Sequence, residues 1–279
     1  MHYRYPTCYI TIKYDTMIHR EEYAMDILTE LIGSFREDAP VEEVRRGLAW
    51  TAVVSKRCGL ASMLGSTGGC NHEAIGPTER SFTEMTALEL ARNCSLSNDT
   101  ALLSLGLAAV NSLIDVDMKR CGDAEGLQLA GDMGKGKNIA VIGHFPYLAD
   151  VARVARNLWV IEKKMRPGDF SEEQGKELIP RSDIVVISST TIINRTLPGI
   201  LGLCREGAVK MLLGPSTPLT ETLFDLGIDI LSGSVVTDKD RVLQSVSEGV
   251  SFMQLKKRGG VRFVTMVNDY DDVVRRLKG

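Results

Sequence analysis

Short apolar, β-branched runs recur through the second half of the chain: Asn138–Gly143, Leu158–Ile161, Asp183–Ser188, Val209–Gly214 and Ile228–Leu231, with a sixth at Phe263–Val267. Inside each run the apolar residues are continuous, not alternating. That pattern predicts strands buried on both faces, hence a parallel sheet covered by helices. The stretches between the runs have helical periodicity. Residues 146–157 place Leu148, Val151, Val154 and Ala155 at helical spacing, with Arg153 and Arg156 elsewhere, and Pro146 suits a first helical turn. The β-α-β-α-β order predicts an α/β, Rossmann-like, doubly wound domain.

The first half mixes periods. Ile27–Phe35 reads as a helix capped by Asp26, and Leu48–Leu64, partly β-branched and broken by Gly59, reads as a hairpin. Thr83–Cys94 and Thr100–Ile114 read as helices, the second opened by Asp99 as N-cap. That second helix is apolar nearly all round, which predicts burial and is compatible with a homodimer. The half is smaller and α+β in character.

Charge divides the chain in the same way. Residues 1–134 hold 12 Lys+Arg and 19 Asp+Glu, a net of −7, whereas residues 135–279 hold 21 and 17, a net of +4. Five glycines in Cys121–Lys137 (122, 126, 131, 134 and 136) predict a flexible connection, so the expected domains are 1–134 and 135–279. The whole chain, 279 residues at net −3 with 44% apolar residues, has globular composition. A mildly acidic chain is not a general nucleic-acid binder, and no apolar run approaches the ~18 residues of a membrane helix. No signal-peptide run follows Met1–Pro6, and the six cysteines form no Cys-x-x-Cys pair. Reduced thiols in the cytoplasm are the expectation.

Doubly wound sheets bind ligands outside the carboxyl ends of their strands. Here those ends carry Gly143-His144-Phe145-Pro146, Glu162, Ser188–Thr191 with Asn194, Gly214–Pro218 and Ser232–Ser234. Polar, kinked residues at five successive strand ends point to a small-molecule ligand along this edge. His144 is suited to bind an anion, exchange a proton or ligate a metal, and equally to pack over the sheet end. Its bulk, with that of Phe145, argues against a pyrophosphate at the first turn, and Gly143 opens no Gly-x-Gly-x-x-Gly motif. Glu162, 19 residues after Gly143, suits a ribose diol or a solvated surface. Thr190, Thr191, Asn194, Ser216 and Thr217 suit anionic oxygens or helix caps. Cys58, Cys70 and His72 offer two thiolates and an imidazole to a soft or borderline metal, although their spacing fits no standard zinc module. No P-loop, nucleophile elbow or His-Glu-x-x-His motif occurs.

Several strings together carry a resemblance: Val141–Pro146, Thr191–Asn194 with Thr196–Pro198, Leu213–Leu219, Leu231–Gly233 and Gly106–Asn111. Over roughly residues 45–240 the chain resembles the putative heavy-metal chelation family. The resemblance implies an enolase N-terminal-like domain followed by a Rossmann-like domain, with a ligand cleft between them. Carried onto this chain, the cleft would include Asn111, Gly143, His144, Phe145, Glu162, Thr190, Thr191, Asn194, Pro215, Ser216 and Thr217. The donors are mostly oxygens plus one imidazole, which suits a polar organic ligand or a divalent transition metal held in a chelator better than a bare soft ion. Three readings stay open: binding or processing of a small anionic or metal-chelating molecule, a Rossmann-type enzyme using an adenosine-containing ligand, and metal delivery without catalysis.

Overall fold

The computed structural model describes residues 26–64 and 80–278. The chain enters through α1 (Ile27–Ser34) and a three-stranded antiparallel meander, β1 (Glu43–Arg46), β2 (Trp50–Val54) and β3 (Cys58–Ser62). Helices α2 (Ala87–Ser95) and α3 (Thr100–Asn111) follow. Both expected caps form: Asp26 accepts from the Leu28 amide at 3.3 Å and Asp99 from that of Ala101 at 2.7 Å. The expected hairpin is β2–β3, with Val54 opposite Cys58 and Trp50 opposite Ser62. Ala101–Val110 of α3 is buried throughout, as its apolar sequence demands. The burial is supplied within the chain by α1, α2, β2 and β3. Gly59 permits the closest of these contacts. A Cβ there would lie 2.1 Å from Ala108 O and 2.3 Å from Ser112 N, so β3 packs backbone to backbone on the end of α3.

The second domain runs β4 (Cys121–Gly122), α4 (Gly126–Met133), β5 (Asn138–Ile142), α5 (Leu148–Val154), β6 (Asn157–Ile161), α6 (Glu172–Leu178) and β7 (Ile184–Ser188). It continues α7 (Thr190–Ile193), α8 (Leu197–Leu203), β8 (Val209–Leu213), α9 (Glu221–Asp225) and β9 (Ile230–Val236). Helices α10 (Lys239–Ser247) and α11 (Phe252–Arg258), strand β10 (Val261–Val267) and α12 (Tyr270–Lys278) complete it. All six predicted runs are strands of one sheet, ordered β4-β10-β9-β8-β7-β5-β6. β5 to β9 are parallel to their neighbours, whereas β10 runs antiparallel to both β9 and β4. In chain order the parallel strands stand 2-1-3-4-5, the flavodoxin-like arrangement of doubly wound sheets. The winding therefore reverses between β5 and β7. Ile184 to Ile187 are completely buried, alternate residues feeding opposite faces. Val185 and Ile187 join the core shared with the first domain, while Ile184 and Val186 pack with Ile139, Val141 and the α12 residues Val273 and Leu277.

Two expectations shift. The glycine-rich segment 121–137 is not a free connection: β4 pairs with β10, and α4 packs on α5, β7 and β8. Its glycines are close-contact positions. A Cβ on Gly126 would meet Leu213 Cδ1 at 2.3 Å, and one on Gly134 would meet Ile139 Cδ1 at 2.5 Å. Residues from Cys121 on thus pack with the large sheet. The helix expected over 146–157 is shorter, because Tyr147 takes a left-handed conformation (φ 68°) and delays its start to Leu148, so Pro146 stands outside it. The domains are joined through α10, which packs across β1 and β2, and Trp50 Nε1 donates to Val250 O at 2.7 Å. Among the described residues no helix is long and apolar enough to cross a membrane.

Candidate functional site

A cavity of about 400 Å³ opens at the carboxyl edge of the large sheet. His144, Phe145, Pro146 and Tyr147 enter it from the end of β5, and Ser188, Ser189 and Thr190 from the end of β7. It thus occupies the reversal point where doubly wound sheets take ligands. Leu213, Gly214 and Pro215 after β8, with Ser232 and Gly233 in β9, extend the floor, while Trp50 and Ser62 of the small sheet form one wall. Phe252 and Phe263, edge to face at 5.4 Å and 68°, line it as well. The walls are largely apolar, and the polar groups form a strip of hydroxyls: Ser188 Oγ lies 2.8 Å from Thr190 Oγ1, and Ser232 Oγ accepts from Thr265 Oγ1 at 3.0 Å.

Two side-chain pairs edge the cavity. Lys256 bonds Glu125. His144 Nε2 meets Asp169 Oδ2 at 2.7 Å, and the Asp169 side chain is only 6% exposed. The amide of Arg166 donates to the same oxygen at 2.6 Å. That amide first, then the imidazole, holds the Asp169 carboxyl below the usual aspartate range. Asp169 was not among the residues expected from sequence. Its signal is the turn Arg166-Pro167-Gly168-Asp169, which returns the chain over the end of β6, beside the β5 end that bears His144.

Of the expected ligand-binding residues, His144, Phe145, Thr190 and Pro215 line the cavity. The others do different work. Gly143 (φ 103°) makes the turn into His144, and a Cβ there would meet that of Ser188 at 3.2 Å. Asn111 Nδ2 donates to Leu60 O at 2.9 Å and to Ser216 O at 3.1 Å. Ser216 Oγ accepts from the Ser62 amide at 2.7 Å and donates to Ser62 Oγ at 3.0 Å. Both residues tie the small sheet to the loop after β8. Thr217 is buried and its hydroxyl has no hydrogen-bond partner. Thr191 donates to Ser188 O at 2.6 Å, and Asn194 Oδ1 accepts from Thr196 Oγ1 at 2.6 Å; both shape the turns around α7. Glu162 folds back on its own loop, accepting from the amides of Lys163 at 2.8 Å and Lys164 at 3.3 Å, and does not reach the cavity. The ribose-binding expectation for Glu162 is therefore not met.

The expected thiol site is not assembled among the described residues, where no three His, Cys, Asp or Glu side chains could hold a metal. Cys70 and His72 lie outside the described residues. Burial pushes the Cys58 thiol up to about 12, far from the thiolate that metals bind. A cavity that instead holds one oriented imidazole and several hydroxyls can seat a small, partly apolar molecule and offer it a single nitrogen donor or proton acceptor.

Comparison with known proteins places this architecture. A family model described as putative heavy-metal chelation matches residues 126–265, and a second model of the same description matches residues 28–114. An uncharacterised protein of Methanocaldococcus jannaschii is 26% identical over 176 residues, 61% of this chain and 68% of that protein. The crystal structure of a family member of unknown function from Desulfitobacterium hafniense is similar at 25% identity with a TM-score of 0.69, covering 88% of this chain and 98% of that one. A second, from Pyrococcus horikoshii, shares the fold at 22% identity and a TM-score of 0.68, covering 88% and 99%. Both matched segments, in this order and on this fold, show that the chain belongs to the putative heavy-metal chelation family.

Proposed function

We propose that this protein binds a small metal-chelating molecule in the cavity at the carboxyl ends of β5 and β7. The observation that carries the reading is the cavity itself. It lies at the switch point of a doubly wound sheet, is closed on one side by Trp50 and Ser62 of the small domain, and contains an oriented histidine. The family description supports the same class of ligand. The lining selects within that class. Lys256 is paired with Glu125, so among the described residues no free lysine or arginine in the wall awaits a compact, strongly charged anion. Phe145, Phe252 and Phe263 favour a ligand with a flat apolar body, while the hydroxyls of Ser188 and Thr190 suit its polar end.

Calorimetry with two probes tests this. 8-Hydroxyquinoline has an apolar body and an N,O donor pair; citrate has carboxylates and no apolar body. The expected result is tighter binding of hydroxyquinoline, weakened at least tenfold by Phe252→Ala and unchanged by Glu162→Ala. Equal or tighter binding of citrate, or hydroxyquinoline affinity indifferent to Phe252→Ala, would overturn the reading.

A further inference from the structure

We infer that His144 is the one ligand that the described residues give to a metal already held by its chelator, so that the bound species is the metal chelate and not the free ion. The inference rests on the reading above and names its substrate more narrowly.

The geometry of the imidazole is the first ground. Nε2 faces Asp169 Oδ2 at 2.7 Å, and that oxygen is fixed from the other side by the Arg166 amide at 2.6 Å. A carboxylate accepts, so the ring proton sits on Nε2. In the neutral ring Nδ1 then keeps its lone pair, and among the described residues the ring's hydrogen bond is the one from Nε2. An imidazole that donates one N–H to a nearly buried carboxylate and leaves the other nitrogen bare is arranged as metal-binding histidines are arranged.

The poverty of the remaining donors is the second ground. Around His144 the cavity presents hydroxyls and the closed Glu125–Lys256 pair and, among the described residues, no thiolate. A bare divalent transition ion takes three or four protein ligands, and no such set exists among the described residues. One strong donor is insufficient for a free ion and suffices for a chelate with one open position. The Nδ1 lone pair would displace the water at that position; the Nε2 proton stays on the ring, donated to Asp169. A general-base role is less well served, since among the described residues no hydroxyl, thiol or amine is hydrogen-bonded to Nδ1 as a nucleophile.

Cu(II)–terpyridine is a suitable probe, because the tridentate chelator leaves one equatorial position open and the ion reports its ligands by paramagnetic resonance. Untagged protein should bind the complex one to one, with pulsed spectra showing a single imidazole. Cu(II) alone and terpyridine alone should bind more weakly. His144→Gln, checked for an unchanged melting temperature, should lose the imidazole signature and at least a hundredfold in affinity. Any signal it retains belongs to His2, His19 or His72. Asp169→Asn should keep the signature and lose about 10–100-fold in affinity, a split that a merely structural Asp169 would not give. Unchanged binding in His144→Gln, tight uptake of bare Cu(II) at His144, or no binding of the complex would each overturn the inference. If terpyridine or hydroxyquinoline alone still binds in those cases, the broader reading stands; if no chelator binds in any form, both fail.

Discussion

Replacing Gly59 by alanine is the sharpest test of how β3 is seated on α3 within the first domain. Residue 59 lies in β3, and its Cα faces the last turn of α3. The added Cβ would sit 2.1 Å from Ala108 O, 2.3 Å from Ser112 N and 2.7 Å from Asn111 C, all backbone atoms. No rotamer change can relieve contacts of that kind. To reach 3.0 Å from Ala108 O, β3 and α3 must separate by about 0.9 Å. Close-packed interiors resist such shifts, and overpacking costs about 1–3 kcal/mol where side chains can yield, so a backbone clash belongs at the upper end, about 3 kcal/mol. At roughly 2–4 °C per kcal/mol the melting temperature should fall by about 6–12 °C. Gly199 in α8 is the control, since a Cβ there meets nothing within 4 Å. Gly199→Ala should be neutral or stabilise by about 0.5–1 kcal/mol through helix propensity. Urea unfolding followed by tryptophan fluorescence suits the measurement, because Trp50, one of two tryptophans, is 4% exposed at the domain contact. Gly59→Ala within 0.5 kcal/mol of wild type would refute the claimed backbone contact.

Other outcomes follow from the same geometry. The Asp169 carboxyl is held below its usual range in the fold, so its contribution is present above that range and is lost as pH falls through the folded value. Acid titrations of melting temperature should therefore show a shallower decline below about pH 4 in Asp169→Asn than in wild type, and parallel curves would refute the pairing. Burial raises Cys58 and Cys94 to about 12, so native alkylation at pH 8 with peptide mapping should leave both intact while denatured protein is labelled fully. Rapid native labelling of Cys58 would revive it as a metal ligand. The Thr217 hydroxyl is buried without a partner, so Thr217→Val should be neutral or stabilise by about 1 kcal/mol in thermal unfolding; a loss above 1 kcal/mol would show that the hydroxyl is bonded after all.

The sheet domain was legible because its strands are continuous apolar runs, and burial on both faces leaves no other use for Ile184–Ile187. β1 was not legible: Glu-Val-Arg-Arg has one apolar residue, and the strand exists because β2 offers it a ladder from Glu43↔Val54 to Arg46↔Thr51. The glycines of 121–137 misled for a related reason. Glycine is common both in free connections and where backbones crowd, and only the neighbours Leu213, Ser232 and Ile139 separate the two cases. His144 was legible from its position after the first parallel strand. Its partner Asp169 was not, because the pairing depends on the loop after β6 folding back over a neighbouring strand end.

That distinction explains why several expected ligand residues turn out to be structural. Polar side chains at strand ends face two demands under the proposed function: to meet a ligand, and to join the small domain to the sheet. Asn111, Ser216 and Ser62 meet the second demand through hydrogen bonds that cross between the domains at 2.7–3.1 Å. Each such bond contributes only about 0.5–1.5 kcal/mol, but together with the Trp50–Val250 bond they hold β2 and β3 beside the cavity. The wall formed by Trp50 and Ser62 therefore depends on residues that never enter the cavity. At the ends of β5 and β7, by contrast, His144, Ser188 and Thr190 have polar atoms that line the cavity and are not committed to that joint. Sequence position alone cannot sort residues between the two demands: Ser188 closes β7, Ser216 follows β8 by three residues, and both are serines at carboxyl strand ends. What separates them is the neighbour: Ser216 faces β3 of the small sheet, and Ser188 faces the space between β5 and β7.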